Sequence, residues 1–364
     1  MRIGIDIRKY YDYGIGTYIQ NLTNVFQTQS NLDCVYFAQD DLISSLSNSL
    51  KGKFISDNSP KYSLQELYSV SKKANNENLD LFHAPHYTLP VDLKVPSIVT
   101  IHDIIHLRLK KYFSFPKRAY AYLMIRHACS ASSAIIVDSE FGKKELLDVF
   151  NIRENKIRVV SLGVNQLYFN KVNDEEKETF RLKYHITKSY VLYTGSLKPH
   201  KNIPILLKAF KKSLSAHDIQ LVFVGEKYRE NTQLVRYVED NKLTKAIIDM
   251  GRIDYSELRV AYQCASAVVL PSIYEGFGFS MLEAMASGVP AIGARATSIL
   301  EVVGNAGLLF DPTDENELAN HLQTVFSNQK LRSELIERGI ERANHFTWEK
   351  CAEKTLQIYN EVLK

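Results

Sequence analysis

The sequence predicts two doubly wound α/β domains, each built on a parallel sheet. Three observations carry that expectation. Short, almost continuously apolar runs recur along the whole chain, as strands buried on both faces do. Helical patterns separate them, so consecutive strands connect by right-handed crossovers. At 364 residues the chain exceeds one ordinary core and suits two.

The elements follow in order. In the first half, strands are expected at Ile3–Ile7, Val35–Ala38, Leu81–His83, Ser97–Ile101, Ala134–Val137 and Ile157–Ser161. In the second they are expected at Tyr190–Tyr193, Leu221–Val224, Ile247–Met250, Ala267–Leu270, Pro290–Ile292 and Leu308–Phe310. Two sets of about six strands imply two similar, Rossmann-like domains. The polar, Lys- and Glu-rich stretch Asn170–Ser189 has no strong apolar period. The boundaries read as a first domain over 1–169, a linker over 170–189 and a second domain over 190–346. A final helix spans 347–364, with Trp348, Cys351, Ala352, Thr355, Leu356, Tyr359 and Val362 at helical spacing.

Composition narrows the function. A net charge of +4 implies no nucleic-acid partner. Cys34, Cys129, Cys264 and Cys351 are scattered, which fits a reducing compartment and argues against structural zinc. Charge comes too soon after Met1 for a signal peptide, and no apolar run approaches the ~20 residues that span a bilayer. These features point to a cytoplasmic protein.

The stretch from Glu275 to Pro290 is the most informative. It follows the strand Ala267–Leu270 and reads as a glycine loop opening into a helix. Gly276, Phe277, Gly278 and Phe279 lie between Glu275 and Glu283. Such a loop aims backbone N–H groups and a positive helix end beyond the strand, where a phosphate fits. The two carboxylates accept hydrogen bonds from hydroxyls. A ligand with phosphates at one end and hydroxyls at the other is a nucleotide sugar. Ser280 with Glu283 is also a capping box, but that leaves Glu275 without a task.

Every other motif also falls just after a strand, where open α/β sheets bind ligands. Gly195, Ser196, Lys198, His200 and Lys201 form a loop before a helix over Ile203–Leu214. Cations there can hold a leaving diphosphate, or simply be solvated. Gly14-Ile-Gly16 follows the first strand as a loop that can reach a phosphate; as a dinucleotide fingerprint it is broken at Ile19. His102 sits at a strand end and can donate to a sugar hydroxyl or move a proton. His83 and His86 offer donors on the same rim. Gly225 and the run Gly251-Arg252-Ile253-Asp254 close two further strands, lining a base pocket through backbone groups or forming plain turns. No metal-binding spacing and no Asp-x-Asp is present, so neither metal nor cofactor is expected. The acid-free segment Ile104–Val137 interleaves Arg108, Lys110, Lys111, Lys117, Arg118 and Arg126 with aromatics. Its part over 104–126 can lie on an anionic membrane surface, face solvent, or take an anionic glycan.

Taken together, the E-x7-E motif at Glu275 and Glu283, the Gly195–Asn202 loop, Gly14-Ile-Gly16 and His102 resemble a family 4 retaining glycosyltransferase of the GT-B architecture (glycosyl transferases group 1). The resemblance covers nearly the whole chain. It implies two Rossmann-like domains facing across a cleft, with the final helix crossing back to the first. It further implies roles. Glu275 contacts the donor hexose and Glu283 the ribose hydroxyls. The amides of Gly276 to Gly278 bind sugar and phosphate oxygens. Lys201 neutralises the diphosphate, Gly16 approaches it, and His102 touches the donor sugar. Many relatives carry Arg where this chain has Ser196 or His200, so phosphate charge falls mainly to Lys201, with Lys198. The loop is similar to that of bacterial mannosyltransferases of surface-polysaccharide assembly. That makes GDP-mannose the first expected donor, ahead of UDP-glucose or another UDP-sugar, with a glycan or lipid-linked acceptor. A non-catalytic binding homologue is the alternative of another class.

Overall fold

The computed structural model describes residues 1–364. The chain divides into two units, residues 1–163 with 347–364, and residues 164–346. The stretch 170–189 is therefore part of the second unit. It carries a helix, Asp174–Lys183, opened by a capping box between Asn173 and Glu176.

In the first unit, seven strands form one parallel sheet: β1 Arg2–Asp6, β2 Asp33–Ala38, β3 Lys53–Ser56, β4 Leu81–Ala84, β5 Ser97–Thr100, β6 Ala134–Val137 and β7 Ile157–Val159. Their order is β3-β2-β1-β4-β5-β6-β7. Direction of winding reverses between β1 and β4, and this is where open α/β sheets form a crevice beyond the strand ends. Strand β3 has only Phe54 and Ile55 as apolar residues and lies on the sheet edge, which is why hydropathy does not predict it. Ile3, Ile5, Phe82, Ile98, Val99, Ile135 and Ile136 are fully or almost fully buried. Each such side chain stabilises by about 1.5–3 kcal/mol relative to exposure.

The final helix, Trp348–Leu363, belongs to this unit. It buries Trp348, Cys351, Ala352, Thr355, Ile358 and Tyr359, and packs on the helix Tyr13–Phe26. Ile358 takes the interior place that the spacing assigns to Leu356, which is only partly buried. A buried polar chain fastens it. The Tyr359 hydroxyl lies 2.6 Å from His83 Nδ1, His83 Nε2 lies 2.8 Å from Thr100 Oγ1, and Tyr18 OH lies 3.1 Å beyond. Burial pushes His83 down to about 3, so the imidazole is neutral. His83 is thus a core residue inside β4, not a donor on the rim.

The second unit carries six parallel strands: β8 Ser189–Gly195, β9 Ile219–Gly225, β10 Ile247–Asp249, β11 Ala267–Leu270, β12 Ala291–Ala294 and β13 Leu308–Phe310. The order is β10-β9-β8-β11-β12-β13, and here winding reverses between β8 and β11.

Candidate active site

The crevice of the second unit opens between the ends of β8 and β11. The ends of β8 and β9, and the turn after β10, are glycines in the left-handed region: Gly195 at φ 134°, Gly225 at φ 118° and Gly251 at φ 66°. Gly225 shows why. A Cβ there would lie 2.3 Å from the Gly195 carbonyl oxygen. The backbones can therefore approach, with Gly225 N donating to Gly251 O and Glu226 N to Gly195 O. The edge stays free of bulky side chains, which suits close approach of a ligand.

After Gly195 the chain turns through a short 3-10 segment, Pro199–Lys201, into the helix Ile203–Ser213. Several contacts fix the loop. The Tyr193 hydroxyl donates to the Ser196 carbonyl, and the Leu197 amide donates to Glu226 Oε2 at 2.8 Å. Buried His200 accepts the Ile273 amide on its carbonyl at 2.9 Å, tying the loop to the chain beyond β11. Asn202 turns left-handed at φ 54° and donates to the Pro312 carbonyl. Lys198 stays exposed.

This scaffold brings Lys201 and Glu275 together. Lys201 Nζ donates to Glu275 Oε1 at 2.6 Å, with the side chains 18% and 14% exposed. Glu275 is held at its backbone: its amide donates to Thr297 Oγ1, and its carbonyl accepts from Ser298 Oγ. Its carboxylate is set by Lys201 while its main chain is pinned from the segment after β12.

The helix Phe279–Ala286 begins at Gly278, left-handed at φ 100°, with no side chain capping it. The Ser280–Glu283 capping box therefore does not form, because the helix starts two residues earlier than that box requires. Glu283 instead accepts from Tyr262 OH at 2.6 Å, and that hydroxyl lies 2.8 Å from Thr194 Oγ1. Burial raises the Glu283 carboxyl above its ordinary value, with the tyrosine hydrogen bonding opposing it. The Phe277 side chain is buried against Phe279 and Phe346. Gly276 lies partly buried between Glu275 and Phe277. Beyond β10, Arg252 is exposed and Ile253 partly so. Asp254 is committed as a helix cap, accepting from the Glu257 amide at 2.9 Å and from Ser256 Oγ at 2.6 Å. Its carboxylate is thereby occupied.

The remaining sequence-predicted residues belong to the first unit. Gly14 and Gly16 are not in a loop; they lie in the opening turn of the helix Tyr13–Phe26. Gly16 is needed because a Cβ would meet the Tyr10 carbonyl oxygen at 2.4 Å. His102 pairs with Asp138, Nδ1 to Oδ2 at 2.8 Å, and its Nε2 faces the Pro85 carbonyl at 3.2 Å. Both ring nitrogens face acceptors, an arrangement that favours the protonated ring. Burial alone would lower His102, but Asp138, by charge and hydrogen bond, carries it above the usual value. To serve a sugar hydroxyl, Nε2 would have to give up Pro85. His86 is buried and driven well below the usual histidine range, first by burial and then by Lys9.

Sequence reasoning missed Asp138, Tyr262, Thr297 and Ser298. Asp138 had a signal, since Val137-Asp138-Ser139 ends a strand as Thr100-Ile101-His102 does. The others carry none, because a contact across a fold leaves no local spacing.

Comparison with known proteins decides the class. Residues 13–166 match the family model described as Glycosyltransferase Family 4, and residues 174–342 match Glycosyl transferases group 1. The chain belongs to the family 4 glycosyltransferases. This glycosyltransferase is 29% identical over 282 residues to the O-antigen chain mannosyltransferase B of Escherichia coli, covering 77% of this chain and 74% of that one. It is similar in fold to a glycosyltransferase from Rickettsia africae, at a TM-score of 0.80 and 20% identity over 100% of this chain and 98% of that one. It is also similar to Anabaena HepE, solved with UDP-glucose, at a TM-score of 0.81 and 16% identity, over 99% and 100% of the two chains. Both are GT-B neighbours, and the two units are the two Rossmann-like domains of that architecture.

Proposed function

We propose that the enzyme transfers a hexose, first of all mannose from GDP-mannose, to a glycan or lipid-linked glycan, with retention at the anomeric carbon and without a metal. The Lys201–Glu275 pair at the β8/β11 crevice carries this reading. A donor separates the pair. Lys201 turns to the diphosphate and neutralises its developing charge, while Glu275 accepts from hydroxyls of the hexose. Glu283, held by Tyr262, takes the ribose hydroxyls. The helix opening at Gly278 adds its positive end.

In the reaction the bond from the anomeric carbon to the diphosphate oxygen breaks, and the electron pair leaves with the diphosphate. The acceptor oxygen forms its bond on the same face. Its proton passes to the departing phosphate oxygen, giving a nucleoside diphosphate and the glycoside. The protein supplies position and charge, not a covalent nucleophile.

Similarity to a mannosyltransferase supports mannose as the sugar. A UDP-sugar donor is the second reading, favoured by the UDP-glucose bound to the Anabaena neighbour. The test is incubation with GDP-mannose or UDP-glucose in chelator, with nucleoside diphosphate release and the anomeric configuration of the product read by NMR. An α product from an α donor supports retention; a β product ends it.

We also propose peripheral contact with an anionic membrane, on the cytoplasmic side. No helix is long and apolar enough to cross a membrane. The helix Phe115–Ala131 exposes Phe115 at 74% and Leu123 at 56%, beside Lys110, Lys111 and Lys117. Apolar side chains that insert and cations that meet lipid phosphates bind such surfaces together. Co-sedimentation with vesicles containing phosphatidylglycerol, lost in Phe115→Ser with Leu123→Ser, is the expected result.

A further inference from the structure

The segment that follows β12 holds a backbone strain for which the turn itself gives no reason. Eight non-glycine residues take a positive φ, and Thr297, at 49°, is the β-branched one among them. A β-branched side chain in the left-handed region is a genuine outlier, and it persists only where its surroundings over-determine it. A glycine would make the same turn without strain. The surroundings hold the turn from two sides. Toward β13, the Arg295 amide donates to the Phe310 carbonyl at 2.6 Å, and Arg295 Nη2 donates to the Leu309 carbonyl at 2.9 Å. Just beyond Thr297, Ile299 is fully buried, so close to β12 that a Cβ on Gly293 would lie 2.7 Å from its Cγ2.

What threonine adds over glycine is a hydroxyl. Thr297 Oγ1 accepts the Glu275 amide at 3.0 Å. The next residue, Ser298, is fully buried and donates its Oγ to the Glu275 carbonyl at 2.9 Å. Two consecutive hydroxyls thus hold the N–H and the C=O of one residue. Glu275 needs such a hold, because it lies in the stretch 271–278, between β11 and the helix Phe279–Ala286, where no strand or helix fixes the main chain. Its carboxylate is joined to Lys201 at 2.6 Å, and on the reading above it leaves Lys201 for hydroxyls of the hexose. The bonds from Thr297 and Ser298 then remain to hold Glu275. A displacement of about 1 Å at such a group lowers turnover strongly, so strain that prevents it has a use.

We propose that Thr297, assisted by Ser298, is a positioning residue for hexose transfer: its hydroxyl aims Glu275 at the donor sugar, and the strained turn is retained for that hydroxyl. This rests on the reading of Glu275 as the hexose contact, and it gives Thr297 no part in holding the nucleotide.

Three substitutions in the full chain test it. Thr297→Ser keeps the hydroxyl. Thr297→Val keeps the shape and the strain and loses the hydroxyl. Thr297→Gly loses both the hydroxyl and the strain. Turnover is read as nucleoside diphosphate released from GDP-mannose and UDP-glucose, and binding is read with GDP and UDP alone. The valine and glycine variants should each lower kcat about tenfold and leave the Kd of the nucleoside diphosphate within about twofold, while the serine variant stays within about threefold of wild type in both. The glycine variant should nonetheless melt about 2–4 °C above the valine variant, since only valine keeps the strain. Turnover that follows stability, restored by glycine and impaired by valine alone, would overturn the proposal, as would wild-type turnover in both. Glu275→Gln separates the two claims. Turnover lost there but kept in Thr297→Gly ends the clamp alone, whereas turnover kept in Glu275→Gln ends the hexose reading of Glu275 and the proposal with it. Should wild type turn over neither sugar nucleotide, the donor reading fails and hydrogen exchange at the Glu275 amide judges the clamp. Protection lost with valine and glycine but kept with serine upholds it, and equal protection in all four proteins overturns it.

Discussion

The two sheet crevices share a topology and differ in what lines them. In the second unit the strand ends and the turn beside them are glycines, Gly195, Gly225 and Gly251, with the ion pair of Lys201 and Glu275 beside them. In the first unit the strand ends carry Asp6, Arg8, Lys9 and His86, all buried. A glycine edge lets a ligand's phosphates come against main chain, where amides and a helix end meet them whatever the attached sugar. A side-chain edge reads hydroxyl positions one at a time. The difference teaches that one topology can present a main-chain edge in one unit and a side-chain edge in the other.

Lys201→Ala and Glu275→Gln break the second crevice most directly. Each should lower turnover about 100-fold or more, by removal of one preorganised electrostatic group, with little change in thermal midpoint. Steady-state kinetics beside a melting curve check both. Gly225→Ala attacks the glycine edge instead. Its Cβ meets the Gly195 oxygen and its φ of 118° disfavours any side chain. A loss of about 1–3 kcal/mol is expected in chemical denaturation, with a raised donor KM. The same substitution at Gly195, where nothing lies nearer than 3.5 Å, should cost only the backbone strain.

In the first unit the sharper tests are of charge. His102 is raised above its unfolded value of 6.5, so its stabilising share is full below that pH and is lost as pH rises through the folded value. The stability gap between wild type and His102→Gln should therefore be larger at pH 5.5 to 6 than at pH 9, on the order of 1–2 kcal/mol at the low end. A gap that is constant or grows with pH contradicts the imidazolium pairing with Asp138. The smallest effect expected is Tyr359→Phe, which removes the hydroxyl at His83 Nδ1 and should cost about 1 kcal/mol without touching turnover.

Much of this was legible before the fold. Strands at Ala134–Val137, Ala267–Leu270 and Leu308–Phe310 fall where hydropathy puts them, because buried parallel strands read as unbroken apolar runs. Lys201 and Glu275 stood out because each follows a strand and a glycine or precedes one. What was not legible has physical causes. Edge strand β3 needs little apolar surface. Gly14-Ile-Gly16 has loop composition, yet Gly16 serves a close helix–backbone contact. Glu283 has capping-box spacing, but Gly278 starts the helix first. Arg8 and Glu66 are far apart in sequence and come within 3.4 Å only through the fold.

The central claim is that the second unit's crevice binds a sugar nucleotide through Lys201. Its most direct test is thermal stabilisation by GDP-mannose, with UDP-glucose in parallel, of wild type and Lys201→Ala in the presence of chelator. At 100 times its dissociation constant a donor should add ~2.7 kcal/mol to the wild-type stability, and the shift should be largely lost in the variant. No shift with either sugar nucleotide, or an equal shift in both proteins, would contradict the account.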